Sequence, residues 1–307
     1  MTKVLLATEK PFTASAVSGI RAILDGAGFE TILLEKYSSK SELLQAVADV
    51  QAIIVRSDII DAEVFDAAKE LKIVVRAGAG YDNIDLDAAT KHGVCVMNTP
   101  GQNANAVAEL VVGMLLFGTR NHFNGTSGTE LMGKKIGLLA FGATGRNVAR
   151  IAKGLAMEVY AYDPFSSKEQ MEAEGVHFIA TQAELFATCD IVSMHIPATP
   201  ETKGSIGKAL VGSMPKKAIL VNTARKEIIN EAELLEVLKE REDLRYFTDI
   251  QPACHAEMVE ALGERYFATP KKMGAQTSEA NTNAGLAAAR QIVGFIKDGN
   301  ERFRLNK

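Results

Sequence analysis

The stretch Lys135-Ile136-Gly137-Leu138-Leu139-Ala140-Phe141-Gly142-Ala143-Thr144-Gly145 decides the fold. Its first half is a short apolar run with strand character, and it leads into a glycine-bearing turn with a helix starting near Gly145. Gly142 lets the backbone approach a pyrophosphate, and Gly145 lets helix and strand pack closely. The amides of Ala143 and Thr144 then sit at a helix N-terminus, where free N–H groups and the helix dipole favour an anion. One glycine of the dinucleotide fingerprint GxGxxG is absent, because Ala140 stands at its first position. The next strand, Glu158–Tyr162, ends at Asp163, 18 residues beyond Gly145. A carboxylate there is placed to bond both ribose hydroxyls of NAD and to repel the 2′-phosphate of NADP. No arginine follows Asp163 directly, so NAD is the expected cofactor. The competing reading is that Asp163-Pro164 merely begins a turn.

On either side of this stretch, short apolar strands alternate with helices. Before it the pattern predicts strands at Lys3–Thr8, Thr31–Leu34, Ala52–Val55, Lys72–Arg76 and Val94–Met97, and helices at Ser15–Ala27 and about Asn103–Gly118. From Lys135–Ala140 a second series continues through Glu158–Tyr162, Ile191–His195, Ala218–Asn222 and Arg245–Asp249. Such alternation means parallel sheets covered by helices on both faces. The expected architecture is α/β, with two doubly wound parallel-sheet lobes: a Rossmann-type NAD domain and a flavodoxin-like substrate domain. The final helix, Ser278–Lys297, follows the end of the second series and is expected to cross back to the first lobe. The boundaries are therefore 1–98 with 283–307 for the substrate or lid domain, and 99–282 for the NAD domain.

With 307 residues, 47% of them apolar and 23% charged, the chain has room for two cores. A net charge of −4 points to neither nucleic acid nor an anionic membrane, so an anionic substrate needs a local cluster of cations. Cys95, Cys189 and Cys254 are odd in number and lack CxxC spacing, which argues against disulfides or a zinc site and for a reducing cytoplasm. No metal is expected, since the five histidines do not cluster. The N-terminal apolar run is too brief for a signal peptide, and no run approaches the roughly 20 residues of a membrane span. A soluble, cytoplasmic protein is expected.

Longer stretches resemble the D-2-hydroxyacid dehydrogenases along almost the whole chain. They are Val75-Arg76-Ala77-Gly78-Ala79-Gly80-Tyr81-Asp82-Asn83-Ile84-Asp85, Asn98-Thr99-Pro100-Gly101, His195-Ile196-Pro197 and, most specific, Val221-Asn222-Thr223-Ala224-Arg225. The resemblance implies that Arg225 clamps the substrate carboxylate and keto oxygen, orienting C2 and polarising its carbonyl. It implies that the amides around Gly78 and Ala79 hold the substrate carboxylate. Thr223, Ala224 and Asp249 would line the nicotinamide side, with Asp249 bonding the carboxamide, and Ile196 would pack on the cofactor.

The departures from the family carry information. Its members usually have a Pro-His-x-Gly-Ala-x-Thr segment whose histidine moves the proton. Here the chain reads Thr269-Pro270-Lys271-Lys272-Met273-Gly274-Ala275-Gln276-Thr277, one residue longer between proline and glycine. Counting back from Gly274, a residue grouped with the cofactor site, puts Lys272 at the histidine position; counting forward from Pro270 puts Lys271 there. Lys272 is preferred because Gly274 leads directly into the next helix. The glutamate that supports the histidine falls at Cys254, with Gln251 or Glu257 as replacements if the loop is realigned. An ammonium with a pKa depressed by burial or nearby cations is a competent acid/base. The competing reading makes both lysines surface residues of an inactive homologue.

The strand end Ile53-Ile54-Val55-Arg56-Ser57 is similar to the pattern of family members that act on phosphoglycerate, where an arginine and a serine help hold the substrate. A guanidinium and a hydroxyl at a strand's carboxyl end suit a phosphate, and Asn103 is a further expected contact. The reaction implied is hydride transfer from C2 of 3-phospho-D-glycerate to NAD, the entry step to serine synthesis. One alternative is a glyoxylate or hydroxypyruvate reductase, or another D-2-hydroxyacid dehydrogenase. The other is a non-catalytic NAD-sensing protein. The sequence stops at Lys307, soon after the returning helix, so no regulatory domain and no inhibition by serine are expected. The segment Arg120–Glu130 is shorter than the family's usual arm, and a homodimer packed through the Asn103–Gly118 helix is expected.

Overall fold

The computed structural model describes residues 1–306, which form two compact units. The first comprises Met1–Asn103 and the residues from Thr277 onward; the second is Ala104–Gln276.

In the first unit, strands β1 (Lys3–Thr8), β2 (Glu30–Glu35), β3 (Ala52–Val55), β4 (Ile73–Arg76) and β5 (Cys95–Asn98) form one parallel sheet in the order β2-β1-β3-β4-β5. This is the flavodoxin-like order, and it reverses between β1 and β3. Both faces are covered, so every residue of β3 is buried. Strand periodicity sends Leu5, Ala7, Ile53 and Val55 to one core and Val4, Leu6, Ala52 and Ile54 to the other.

Helices Ala14–Gly26 and Ser278–Asp298 cover the second of these faces. Their close approach depends on two glycines. A Cβ on Gly19 would lie 2.6 Å from Leu286, and one on Gly285 would lie 2.8 Å from Ile20. The Ser278–Asp298 helix is capped by Thr277, whose Oγ1 accepts from the Ala280 amide. It ends at Gly299 with φ +65, the left-handed residue that glycine adopts without a side-chain penalty. The chain then lies along the β5 edge, where the Leu305 amide donates to Val96 and the buried Asn306 side chain bonds Val96 and Val94. An otherwise open sheet edge is thereby paired.

The second unit contains β6 (Lys135–Leu139), β7 (Glu158–Tyr162), β8 (His177–Phe178), β9 (Ile191–Met194), β10 (Ile219–Asn222), β11 (Arg245–Thr248) and β12 (Tyr266–Ala268). All are parallel, in the order β12-β11-β10-β9-β6-β7-β8. The order reverses between β6 and β9, as in the Rossmann fold, and a ligand site is expected beyond the carboxyl ends of those strands. The sequence pattern did not indicate β8 and β12, which are two and three residues long and lie at the two sheet edges.

Candidate active site

β6 stops at Leu139 because Ala140 turns to φ +85, a left-handed conformation that costs a non-glycine residue about 1–2 kcal/mol. The alanine therefore occupies the glycine position of the fingerprint without altering the turn. The following helix is Ala143–Gly154, beginning two residues earlier than the sequence suggested and capped by Gly142. At Gly145 a Cβ would meet the Ala140 carbonyl oxygen at 2.4 Å, so helix and turn require glycine there. At Gly142 a Cβ would meet no protein atom within 4 Å. Packing does not demand that glycine, and the open space lies at the helix N-terminus beside the exposed Ala143 and half-buried Thr144.

Asp163, at the end of β7, is buried and accepts the amides of Phe141 and Phe165, each at 2.8 Å. Each of its oxygens keeps capacity for another donor. Ile196 follows β9 and packs against the core. Neighbouring His195 bonds Ser193 at 3.0 Å, and burial pushes its pKa down to about 4, so the ring is neutral near pH 7.

After β10 the chain forms the loop Thr223-Ala224-Arg225, held by one side chain. Fully buried Asn222 accepts the Ala224 amide at 2.9 Å and donates to the Arg225 carbonyl at 3.0 Å. Thr223 Oγ1 is buried without a hydrogen-bond partner, an arrangement that calls for a ligand donor or acceptor. Against this loop lies Lys272, whose Nζ donates to the Ala224 carbonyl at 2.8 Å and sits 3.4 Å from Asp249 Oδ1. The Lys272 side chain is 38% exposed. Loss of water around the ammonium holds the Lys272 pKa below the ordinary lysine value; Asp249 opposes this, and Arg225 reinforces it. Lys271 is exposed, and its carbonyl accepts from the Thr269 hydroxyl.

Asp249 is fully buried and accepts the Gly274 amide at 2.7 Å. A Cβ on Gly274 would come within 2.8 Å of the same carboxylate oxygen. Cys254, at the position of the family glutamate, turns instead to Glu231, which accepts its amide. Glu257 is exposed on helix His255–Leu262, and Gln251 is half-buried. The carboxylate beside Lys272 is therefore Asp249, which was not among the three replacements considered. Open space at Gly142, the orphaned Thr223 hydroxyl and the spare capacity of Asp163 together fit a dinucleotide.

In the first unit, Arg56 follows β3. Its Nη1 donates to the Lys10 and Pro11 carbonyls and its Nη2 to Asn281 Oδ1 at 2.6 Å, with the guanidinium over Phe12. These bonds leave Nε–H and one Nη2–H for other partners. Ser57 and Ala79 are exposed, and Gly78 and Asn103 half-buried. Buried Asp58 accepts the Glu9 and Arg56 amides and the Tyr37 hydroxyl, fastening the loops after β1, β2 and β3 together. The Arg76 guanidinium lies over Gly78, where a Cβ would clash with it. No role for Asp58, Arg76 or Asn222 is read from the sequence, although the last two lie within stretches that carry the family resemblance. For Arg76 a signal existed: an arginine two residues before a glycine, at the end of a strand.

Residues 116–261 match the model for the D-isomer specific 2-hydroxyacid dehydrogenase, NAD binding domain. The cofactor (NAD+)-bound 3-phosphoglycerate dehydrogenase of Entamoeba histolytica is 45% identical, with a TM-score of 0.89 and coverage of 100% of this chain and 99% of that one. The chain belongs to the D-isomer specific 2-hydroxyacid dehydrogenases. Among curated members of this dehydrogenase family, the D-3-phosphoglycerate dehydrogenase of Archaeoglobus fulgidus is 38% identical over 276 residues, covering 84% of this chain and 52% of its own length. That of Rattus norvegicus is 36% identical over 296 residues, covering 90% and 54%. The dehydrogenase chain thus spans about half the length of the curated relatives it matches. Among the described residues, no group of three or more His, Cys, Asp or Glu is arranged to hold a metal, and no helix is long and apolar enough to cross a membrane.

Proposed function

We propose that this chain oxidises 3-phospho-D-glycerate to 3-phosphohydroxypyruvate with NAD, opening the phosphorylated route to serine. The observation that carries the reading is the convergence of Lys272 on the loop that bears Arg225. It is supported by the relatives at 34–45% identity, which are named as phosphoglycerate dehydrogenases.

NAD, when bound, accepts the hydride from C2. Gly142, Ala143, Thr144 and Gly145 would hold its pyrophosphate, Asp163 its ribose, and Ile196, Thr223, Ala224, Asp249 and Gly274 its nicotinamide end. Arg225 orients the substrate carboxylate and stabilises charge on the C2 oxygen. Lys272, in its neutral form, takes the hydroxyl proton as C2 is oxidised and returns it in the reverse direction. Its depressed pKa enlarges the neutral fraction near pH 7, so oxidation accelerates as pH rises and reduction as it falls. Arg56, Ser57, Gly78, Ala79 and Asn103 are assigned to the phosphate and carboxylate. Lys271 is the second choice for the proton.

The test follows NADH absorbance with 3-phosphohydroxypyruvate and with hydroxypyruvate, for the wild type, Lys272→Ala and Lys271→Ala. Loss of at least about a hundredfold, the scale of general acid–base catalysis, is expected in Lys272→Ala alone. Loss only in Lys271→Ala would transfer the role to that residue. Equal rates on both substrates would remove the phosphate assignment, and no turnover with either would refute the enzyme.

The assembly we propose is a cytoplasmic homodimer packed through helix Ala104–Thr119. Leu116 and Phe123, 40% and 68% exposed, supply apolar surface at the end of that helix and just beyond it.

A further inference from the structure

We infer that Asp249 performs for Lys272 the orienting task that the family assigns to a glutamate, which makes it a positioning residue for proton transfer. This rests on Lys272 being the acid/base.

The geometry comes from one short segment delivering two groups to one carboxylate. Lys272 presents its ammonium to Oδ1 at 3.4 Å, and Gly274, two residues on, donates its amide to Oδ2 at 2.7 Å. Asp249 itself cannot swing away. It follows directly on β11, its amide donates to the Asn222 carbonyl at 3.2 Å, and its side chain is sealed from solvent. Gly274 must be glycine for the carboxylate to keep this seat, because a Cβ there would press on Oδ2. The carboxylate thus pins the 272–274 segment and sets where the Lys272 ammonium rests.

It also acts on the proton. The charged groups facing Lys272 are Asp249, Arg225 and Glu227. Arg225 and the loss of water favour the neutral amine, while Asp249 and Glu227 favour the ammonium. Of the two carboxylates, Asp249 is buried and within 3.4 Å, whereas Glu227 is exposed. A charge so placed moves a neighbouring pKa by about one to three units. Asp249 therefore limits the depression of the Lys272 pKa that burial and Arg225 produce.

Asp249→Asn separates the charge from the geometry, because an amide oxygen can still accept from Gly274. Two readouts are needed. One is the pH profile of kcat/KM in both directions. The other is the pH dependence of Lys272 acetylation by trace acetic anhydride, followed by mass spectrometry on protein free of cofactor. The expected result is that both inflections move to lower pH by at least about one unit in Asp249→Asn. Gly274→Ala, which displaces the carboxylate without removing its charge, should move the acetylation inflection in the same direction by less. It serves as the test if Asp249→Asn does not fold. Unchanged inflections, with only a raised KM for NAD, would overturn the inference. The underlying reading fails separately: Lys272→Gln would then keep the wild-type rate and profile whatever Asp249→Asn does.

Discussion

Gly142 and Gly145 stand three residues apart in the same turn, yet substitution by alanine should damage different properties. At Gly145 the added Cβ meets a backbone oxygen at 2.4 Å, roughly 1 Å inside normal contact. Neither the β6 turn nor the helix can yield that distance cheaply, so Gly145→Ala should cost about 1–3 kcal/mol of folding stability, the usual scale of overpacking. At Gly142 the Cβ meets nothing, and φ −78 with ψ −160 is open to alanine. Losing glycine at the N-cap costs about 1 kcal/mol, and the stiffer unfolded chain returns about 0.4–1 kcal/mol, so net stability should stay within about 1 kcal/mol. The methyl group, however, fills the space through which a pyrophosphate would reach the Ala143 and Thr144 amides. A tenfold weaker Kd for NAD, about 1.4 kcal/mol, is the least expected. Thermal unfolding with and without NAD reads both effects. At a ligand concentration of about 100 wild-type Kd, NAD should stabilise the wild type by about 2.7 kcal/mol and Gly142→Ala by no more than about 1.4 kcal/mol. A Gly142→Ala protein with the full NAD-induced shift would refute the placement of the pyrophosphate. A Gly145→Ala protein as stable as the wild type would refute the packing argument.

Two further outcomes concern stability. His195 stays neutral in the folded protein down to about pH 4, while in the unfolded chain it takes up a proton near pH 6.5. Between those values the unfolded state binds the extra proton, so stability falls as pH drops, by up to about 3 kcal/mol from this group. Urea midpoints from pH 7 to 4 should decline less steeply in His195→Gln, and equal slopes would remove the histidine from the account. Asp58→Ala strips an acceptor from two amides and the Tyr37 hydroxyl at once, and should lower stability by about 3 kcal/mol or more. It should also raise KM for the phosphorylated substrate; a loss confined to stability would detach Asp58 from the Arg56–Ser57 loop.

What could be read from the chain was local. The turn at 140–145, the strand ending at Asp163 and the loop at 222–225 each declare themselves within a few residues, because turn sterics and strand periodicity are short-range constraints. Even the missing glycine was visible, although not that Ala140 would keep the left-handed conformation. What escaped depended on distant partners. Asp249 and Lys272 are 23 residues apart, and nothing local distinguishes their pairing from one with Cys254, Gln251 or Glu257. Asp58 matters because three loops end at one sheet reversal, a fact of topology. Strands β8 and β12 are too short to show a period, and they exist because a longer neighbour offers an unpaired edge.

The returning helix has a consequence for how the protein is made. Ala288, Ala289 and Ile292 complete the core over Val4, Leu6, Ile54 and Val75, and the paired glycines Gly19 and Gly285 admit no substitute surface. On a ribosome adding about 5–20 residues per second, the 173 residues separating Asn103 from Thr277 take about 9–35 s to synthesise. Throughout that interval one face of the first sheet is covered by helix Ala14–Gly26 alone, whereas the second unit emerges as one continuous stretch and can close as it leaves the exit tunnel. The unit translated first is the one completed last, and nascent-chain chaperones would meet it with part of that apolar face still uncovered.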